Sequence, residues 1–303
     1  MNTRFLPALA ALATLLVPCL PVHAEDTADL PKGPVFCRYV PERKDDFAWE
    51  NDLVAFRVYG PALKDSPEHE NSGVDCWFKR TAEPIINKWY AGEKKGVSYH
   101  EDHGEGYDGY HVGSSRGCGG TGIMHDGKTY IAGVYVSQKI ISNDGNSCAF
   151  ELTYHYPAPL DIDEVKRIDL VAGTPLFRSE STFTKDGKPV KNLAVVIGVT
   201  THDQRAAAVV RQEQGILACW EIIDGKGVGT GVVINDPQRM SRVEEIKVDA
   251  SDKSVVRAIT TTDSDGKTVH YAGFAWEGAG KITSSDEWVK LLSEFHGYPQ
   301  DQK

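Results

Sequence analysis

Between Tyr99 and Gly120 the chain reads YHEDHGEGYDGYHVGSSRGCGG, a dense run of groups able to move a proton or hold an anion. His100, His103 and His111 fall within twelve residues, joined by Glu101, Asp102, Glu105 and Asp108, by Tyr107 and Tyr110, and by Arg116. Imidazole and phenol serve as general base and acid, and a guanidinium beside them steadies a carboxylate or a developing oxyanion. The interspersed glycines oppose a helix and weaken a strand, so the segment reads as a loop, the usual carrier of function on a rigid scaffold. The plainer reading is a solvated, hydrogen-bonded surface loop. A divalent metal is the competing chemistry. His100, His103, Glu105, Asp108 and His111 offer enough ligands for zinc or calcium, yet their spacing is not the helical HExxH pattern.

A second group lies upstream. Trp49, Asn51 and Arg57, then Trp77 and Lys79, then Lys88 and Trp89 mix aromatic faces with cations and an amide. Sugar C–H faces pack on rings, hydroxyls take planar donors and acceptors, and Arg grips a uronate carboxylate through two bonds. Any one of these tryptophans is as readily a core residue. In LFRSESTF, Arg178 and Glu180 share one strand face, as a cleft-facing pair or as an exposed ion pair of small weight. His155, His202 and His270 stand apart and read as structural. GxSxG, P-loop and dinucleotide fingerprints are absent, which removes the common hydrolase, kinase and dehydrogenase templates.

The elements that must position these groups are strands. Asp-Gly, a tight-turn dipeptide, occurs at Asp108, Asp126, Asp144, Asp186, Asp224 and Asp265. Between these turns lie short alternating runs such as TYIAGVYVSQ (129–138) and CAFELTYHY (148–156), whose Cys148, Phe150, Leu152, Tyr154 and Tyr156 share a face. Helical periodicity waits until Ser284, where a capping-box spacing to Glu287 precedes Trp288, Leu291, Leu292 and Phe295, with Gly297 to end the helix. The expected fold is mainly β, a large antiparallel sandwich with a docked C-terminal helix, in one domain over residues 35–303.

Composition sets the compartment and the partners. Charged residues make up 25% and hydrophobic ones 41%, which fits a globular protein and excludes disorder. Arg4 followed by the apolar run Leu6 to Val17 and the Val22-His23-Ala24 cleavage pattern marks residues 1–24 as a signal peptide. Residues 25–34 read as a flexible lead-in, and the mature protein as periplasmic or secreted. Without the leader, 32 Lys+Arg face 43 Asp+Glu, a net charge of −11 that disfavours nucleic acid and anionic lipid alike. No later segment is apolar enough to span a bilayer. Export permits disulfides, and the five mature cysteines suit one or two bridges plus buried thiols.

The strings FAWENDLVAFRVYGPAL, DCWFKR, PIINKWY, YHEDHGEGYDGYHVGSSRGCGG and EVKRIDLVAGTPLFRSESTF together resemble the bacterial domain-of-unknown-function family 4861 over nearly the whole mature chain. The resemblance implies an exported protein that accompanies polysaccharide degradation, pectin and other uronate polymers among them, and a galactose-mutarotase-like β-supersandwich. It carries over no catalytic residue. The chemistry therefore rests on the residues themselves. The leading expectation is a carbohydrate-active enzyme on an anionic, uronate-containing oligosaccharide or small sugar, by elimination. His100 or His103 would be the base, Tyr107 or Tyr110 the acid, and Arg116, Lys88 or Arg57 the carboxylate's partner. A mutarotase or epimerase, and a non-catalytic carbohydrate-binding protein, are the alternatives. No cofactor is firmly implied beyond the metal set above.

Overall fold

The computed structural model describes residues 32–301 except 67–70, 114 and 249–252. The signal-peptide reading of residues 1–24, and residues 25–31 of the lead-in, lie outside the described residues. Residues 32–34 are packed: Gly33 lies so close to Gly145 that a Cβ there would meet the Gly145 carbonyl at 2.4 Å. A bridge from Val35 to Gly145 follows.

Strands β1 (Phe36–Val40), β2 (Asp46–Glu50), β3 (Ala55–Val58), β4 (Val74–Lys79) and the short β5 (Gly106–Tyr107) form a first antiparallel sheet, with helix α1 (Ile86–Glu93) inserted before β5. Strands β6 (Cys118–His125) and β7 (Lys128–Tyr130) belong to a second five-stranded sheet. β8 (Ser137–Asn143), β9 (Ser147–Tyr156), β10 (Ile162–Val171) and β11 (Leu176–Lys185), with the short β12 (Lys188–Pro189), begin a nine-stranded one. β13 (Ala194–His202) returns to the second sheet, and β14 (Ala207–Arg211), β15 (Ile216–Ile223) and β16 (Lys226–Ile234) extend the large sheet. β17 (Arg242–Ile246) and β18 (Ser254–Thr261) complete the second sheet in the order β17-β18-β13-β6-β7. β19 (Lys267–Trp276) closes the large sheet between β16 and β11, and α2 (Ser285–Glu294) follows.

Strand alternation explains how these sheets stack. Phe47, Trp49, Phe56 and Phe78 from the first sheet and Val195, Ile197, Val256 and Ala258 from the second enter one buried cluster with Phe150, Leu152, Phe177 and Phe274 of the large sheet. Both small sheets therefore cover the same face of the large one. A parallel bridge from Val74 to Gly117 joins them edge to edge. Gly117 has φ +57°, and a Cβ there would meet the Val74 carbonyl at 2.1 Å, so glycine alone fits this seam. The mainly antiparallel β architecture expected from the sequence is what the chain adopts. No helix among the described residues is long and apolar enough to cross a membrane.

Each helix seals an outer face. α2 lays Trp288, Val289 and Leu292 against Leu176, Ile216, Val233 and Tyr271 on the far side of the large sheet. Its start is the expected cap: Ser284 Oγ accepts from Glu287 N at 3.3 Å. Replacing Ser284 with Ala is expected to cost about 1 kcal/mol, read as a shift in the urea midpoint at unchanged m-value. α1 was not anticipated by periodicity. It packs Ile86, Trp89 and Tyr90 on Phe36, Ala48, Ala55 and Trp77, the outer side of the first sheet. The run 129–138 is also not one strand: β7 ends at Tyr130 and β8 starts at Ser137.

The Asp-Gly turns behave as their chemistry demands at Asp126, Asp186 and Asp224, where both residues take positive φ and join adjacent antiparallel strands. Asp108 departs from the pattern and is buried in the first sheet's outer face instead. The cysteine expectation is corrected: Cys37, Cys76, Cys118, Cys148 and Cys219 are all buried free thiols. Their sulfurs sit inside the sheets, where Cys118 Sγ donates to the Gly273 carbonyl at 3.1 Å.

Candidate functional site

The histidine loop leaves α1, crosses the outer face of the first sheet and ends in the seam before β6. Its first half and α1 form the walls of a groove of about 370 Å³, bordered by Lys88, Trp89, Tyr99, Glu101, His103 and Glu105. Two groups separate in sequence thus meet. Beneath them lies an aromatic stack in which Trp77 is fully buried, with Trp89 at 5.5 Å and Tyr99 at 4.9 Å between ring centroids. With no exposed surface, Trp77 supports the groove and is no sugar platform. Trp89 and Tyr99 reach the groove themselves.

His103 is exposed, and its Nε2 donates to the Ser98 carbonyl at 3.0 Å. That bond fixes the proton on Nε2 in the neutral ring and leaves Nδ1 as the basic nitrogen. Lys88 Nζ sits 2.7 Å from Glu105 Oε1, with the lysine side chain two-thirds exposed. An exposed pair of this kind is worth at most about 1 kcal/mol, so a substrate carboxylate can displace Glu105 at small cost. The loop itself is pinned by Asp102, whose Oδ1 accepts from the Gly104 and Gly106 amides at 2.8 and 3.2 Å. Those bonds hold the Asp102 carboxyl below the usual carboxylate range against the opposing pull of partial burial.

The other predicted residues of the loop face elsewhere. His100 packs on Tyr99, its Nδ1 3.2 Å from the Asp108 carbonyl and 3.4 Å from Asp108 Oδ2. Tyr107 points into the sandwich and donates to Asp224 Oδ2 at 2.9 Å, and burial with that carboxylate pushes its phenol up. Tyr110 is buried against His202, and burial likewise holds its phenol well above its ordinary value. Neither tyrosine borders the groove, so neither is its acid. His111 is exposed, and its backbone carbonyl accepts from His202 Nε2 at 2.8 Å. Arg116 is buried at the seam and lines a different cleft, on the outer face of the second sheet. Of the five residues considered as metal ligands, His100 and Asp108 meet, and among the described residues no three His, Cys, Asp or Glu side chains converge on one point.

The upstream candidates are mostly structural. Trp49 lies in the core among Phe56, Phe150 and Phe177. Asn51 closes a turn by accepting from the Leu53 and Val54 amides while donating to the Val171 and Thr174 carbonyls. Arg57 is buried among Asp75 at 2.5 Å, Asp108 at 3.2 Å and Asp46 at 3.9 Å. Lys79 is fully buried, 2.7 Å from Glu50. Arg178 is neither cleft-facing nor exposed: it binds Asp301 at 2.6 Å and Glu180 at 2.7 Å on the outer face of the large sheet. All were sound choices by residue type, but each is covered by its own neighbours: Trp49 by the large sheet, Arg57 and Lys79 by α1 and the loop, Arg178 by the C-terminal segment at Asp301.

His202, read from the sequence as structural, is buried and paired. It ends β13 at φ +48°, and its Nδ1 lies 2.7 Å from Glu221 Oε1, both side chains buried. With Tyr110 against its ring and His111 on its Nε2, it docks the second half of the loop onto the end of the sandwich. A histidine's carboxylate partner nineteen residues away on another strand leaves no local signal.

Comparisons with known proteins add the following. A curated relative from Formosa agariphila, "Uncharacterized protein P7", is 36% identical over 278 residues, spanning 86% of this chain and 67% of that protein. Among solved structures, a heparinase III gene product superposes with a TM-score of 0.43 at 12% identity, over 83% of this chain and 37% of that one. The galactosidase domain of an alpha-galactosidase–sucrose kinase gives a TM-score of 0.39 at 8% identity, over 79% and 41%. The chain thus spans about two-fifths of the length of these solved chains. The model of one family, described as a domain of unknown function, matches residues 22–298, and the protein belongs to that family, DUF4861.

Proposed function

We propose that the protein is an exported carbohydrate-active enzyme that acts on saccharides containing uronic acid, in the groove between α1 and the histidine loop. The observation that carries this reading is the company His103 keeps: a tautomer fixed by Ser98, a carboxylate (Glu101), an exchangeable ammonium (Lys88) and aromatic walls (Trp89, Tyr99) around one solvent-accessible space. In an elimination, His103 Nδ1 takes the proton α to the uronate carboxylate, the bond from the β carbon to the glycosidic oxygen breaks, and a carbon–carbon double bond forms. The His103 imidazolium so formed returns that proton to the leaving oxygen, and Lys88 holds the carboxylate as charge builds on it.

The unsaturated uronate absorbs in the ultraviolet. Incubation with pectin, alginate, ulvan and glucuronan oligomers is expected to raise absorbance with one of them, and His103→Ala to lower that rate by about 10²–10⁴-fold at unchanged thermal stability. Faster anomer exchange by NMR with no new product would replace elimination by mutarotation. Saturable binding without turnover across the panel would leave a carbohydrate-binding protein. Full activity in His103→Ala would remove the groove as the site.

A further inference from the structure

We propose that the cleft on the outer face of the second sheet is a separate binding site for a small ligand bearing one carboxylate, built around Arg116. Arg116 is 7% exposed, and none of its three guanidinium nitrogens finds a hydrogen-bond partner among the described residues. Buried charges are ordinarily paired, because an unpaired one costs several kcal/mol of lost hydration. Burial lowers its pKa only to about 10, so the group is a full cation at neutral pH, with donors and no acceptor.

The surroundings have the form of a site. The cleft holds about 350 Å³. Its floor is flattened by glycines on neighbouring strands: a Cβ on Gly122 would lie 3.1 Å from Arg116 Nη1, and one on Gly198 would lie 2.9 Å from Val255. Ile131 and Val196 give it apolar walls. Arg257 stands at the same cleft but is already committed, with Nε and Nη2 on Glu244 Oε2 at 2.9 and 2.7 Å and Nη1 donating to Thr129 at 2.7 Å. Lys253 borders the same cleft as a further cation, so the site is net positive and suits an anion. Glu244 is held by both Arg242 and Arg257, and the planar fork of Arg116 takes a carboxylate through two parallel bonds. The apolar walls then face a carbon skeleton. The groove and this cleft share no lining residue, so neither reading depends on the other.

The test is calorimetric titration and thermal unfolding of the whole protein with sodium D-glucuronate, sodium acetate, D-glucose and sodium sulfate as probes. Saturable glucuronate binding is expected, with a rise in Tm, and no effect from glucose. Acetate binding as tightly would place the recognition in the carboxylate alone, and weaker acetate binding would add the sugar skeleton; both support the site. Arg116→Gln should abolish binding, Arg116→Lys should weaken it at least tenfold, and His103→Ala should leave it intact. Because the unliganded guanidinium is unpaired, Arg116→Met should match or exceed the parent's Tm without ligand. A structural arginine would lower it, and that result overturns the proposal. So do binding that survives Arg116→Gln, sulfate binding as tight as glucuronate binding, and no binding of either carboxylate.

Discussion

Replacing Lys79 with alanine should destabilise the protein by about 3–5 kcal/mol, the usual consequence of stripping one partner from a fully buried ion pair. Lys79 Nζ donates to Glu50 Oε2 at 2.7 Å and to the Asn51 carbonyl at 2.8 Å, and neither charged side chain touches solvent. Glu50 in turn accepts from the Ile85 and Ile86 amides at 2.9–3.0 Å, the unsatisfied donors at the start of α1. Burial pushes the Glu50 carboxyl up even with Lys79 in place. Without the ammonium it would take a proton and hold the helix start less firmly. α1 carries Lys88 and Trp89, so the groove should loosen with it. Urea denaturation reads the loss. The double replacement Lys79→Met with Glu50→Gln should recover a large part of it, because replacing both charges removes the desolvation cost together with the attraction. A lysine that merely held substrate would shift KM and leave the urea midpoint unmoved.

Strand-level architecture was legible because its signals are local. Alternation in CAFELTYHY is reproduced by burial of Cys148, Phe150, Leu152, Tyr154 and Tyr156, and the Asp-Gly pairs at Asp126, Asp186 and Asp224 mark real hairpins. α2 was legible through its own cap and its apolar stripe. α1 was not, because its first amides are satisfied by Glu50 on β2, some 35 residues upstream, and no Ser, Thr, Asp or Asn cap precedes it. The candidate site divides on the same principle. Residue type drew attention to the histidine loop, but which side each residue faces was decided by what the sheets bury. His103 and Lys88 stay outside, while Tyr107 and Tyr110 turn inward to Asp224 and His202. Arg57, Trp77 and Lys79 looked like a binding set in sequence. They are instead the outward row of β3 and β4, covered by α1 and the loop. A tertiary cover of this kind has no counterpart in the strand's own residues.

Two buried groups with opposite pKa shifts should make the parent's stability nearly flat between pH 4 and 6, and single substitutions should expose each slope. His270 on β19 is completely buried. Its Nε2 donates to the Gly119 carbonyl at 3.1 Å, and burial, followed by the nearby Lys166 ammonium, holds its pKa down to about 3. The unfolded chain takes up a proton near the ordinary 6.5 and the folded chain does not. Stability is thus fully present above that value and falls as pH drops toward 3, by about 5 kcal/mol in total at roughly 1.4 kcal/mol per unit. Asp46 runs the other way. Burial raises its carboxyl to about 6 against the opposing pull of Arg57 and Arg43. The folded chain keeps a proton that the unfolded chain releases near 3.8. That stabilisation is present below 3.8 and lost as pH rises through about 6, roughly 3 kcal/mol in all. His270→Gln retains a donor for Gly119 and removes the titration, so acidification from pH 6 to 4 should raise stability relative to the parent profile. Asp46→Asn retains an acceptor for the Gly60 amide, bonded at 3.1 Å, and should leave the acid loss uncompensated. Urea midpoints for the three proteins at half-unit steps from pH 4 to 7.5 separate the two effects, since the exposed carboxylates titrate alike in all of them. Parallel profiles for the parent and His270→Gln would mean that the imidazole charges within the fold, through an opening of the seam that carries Gly119.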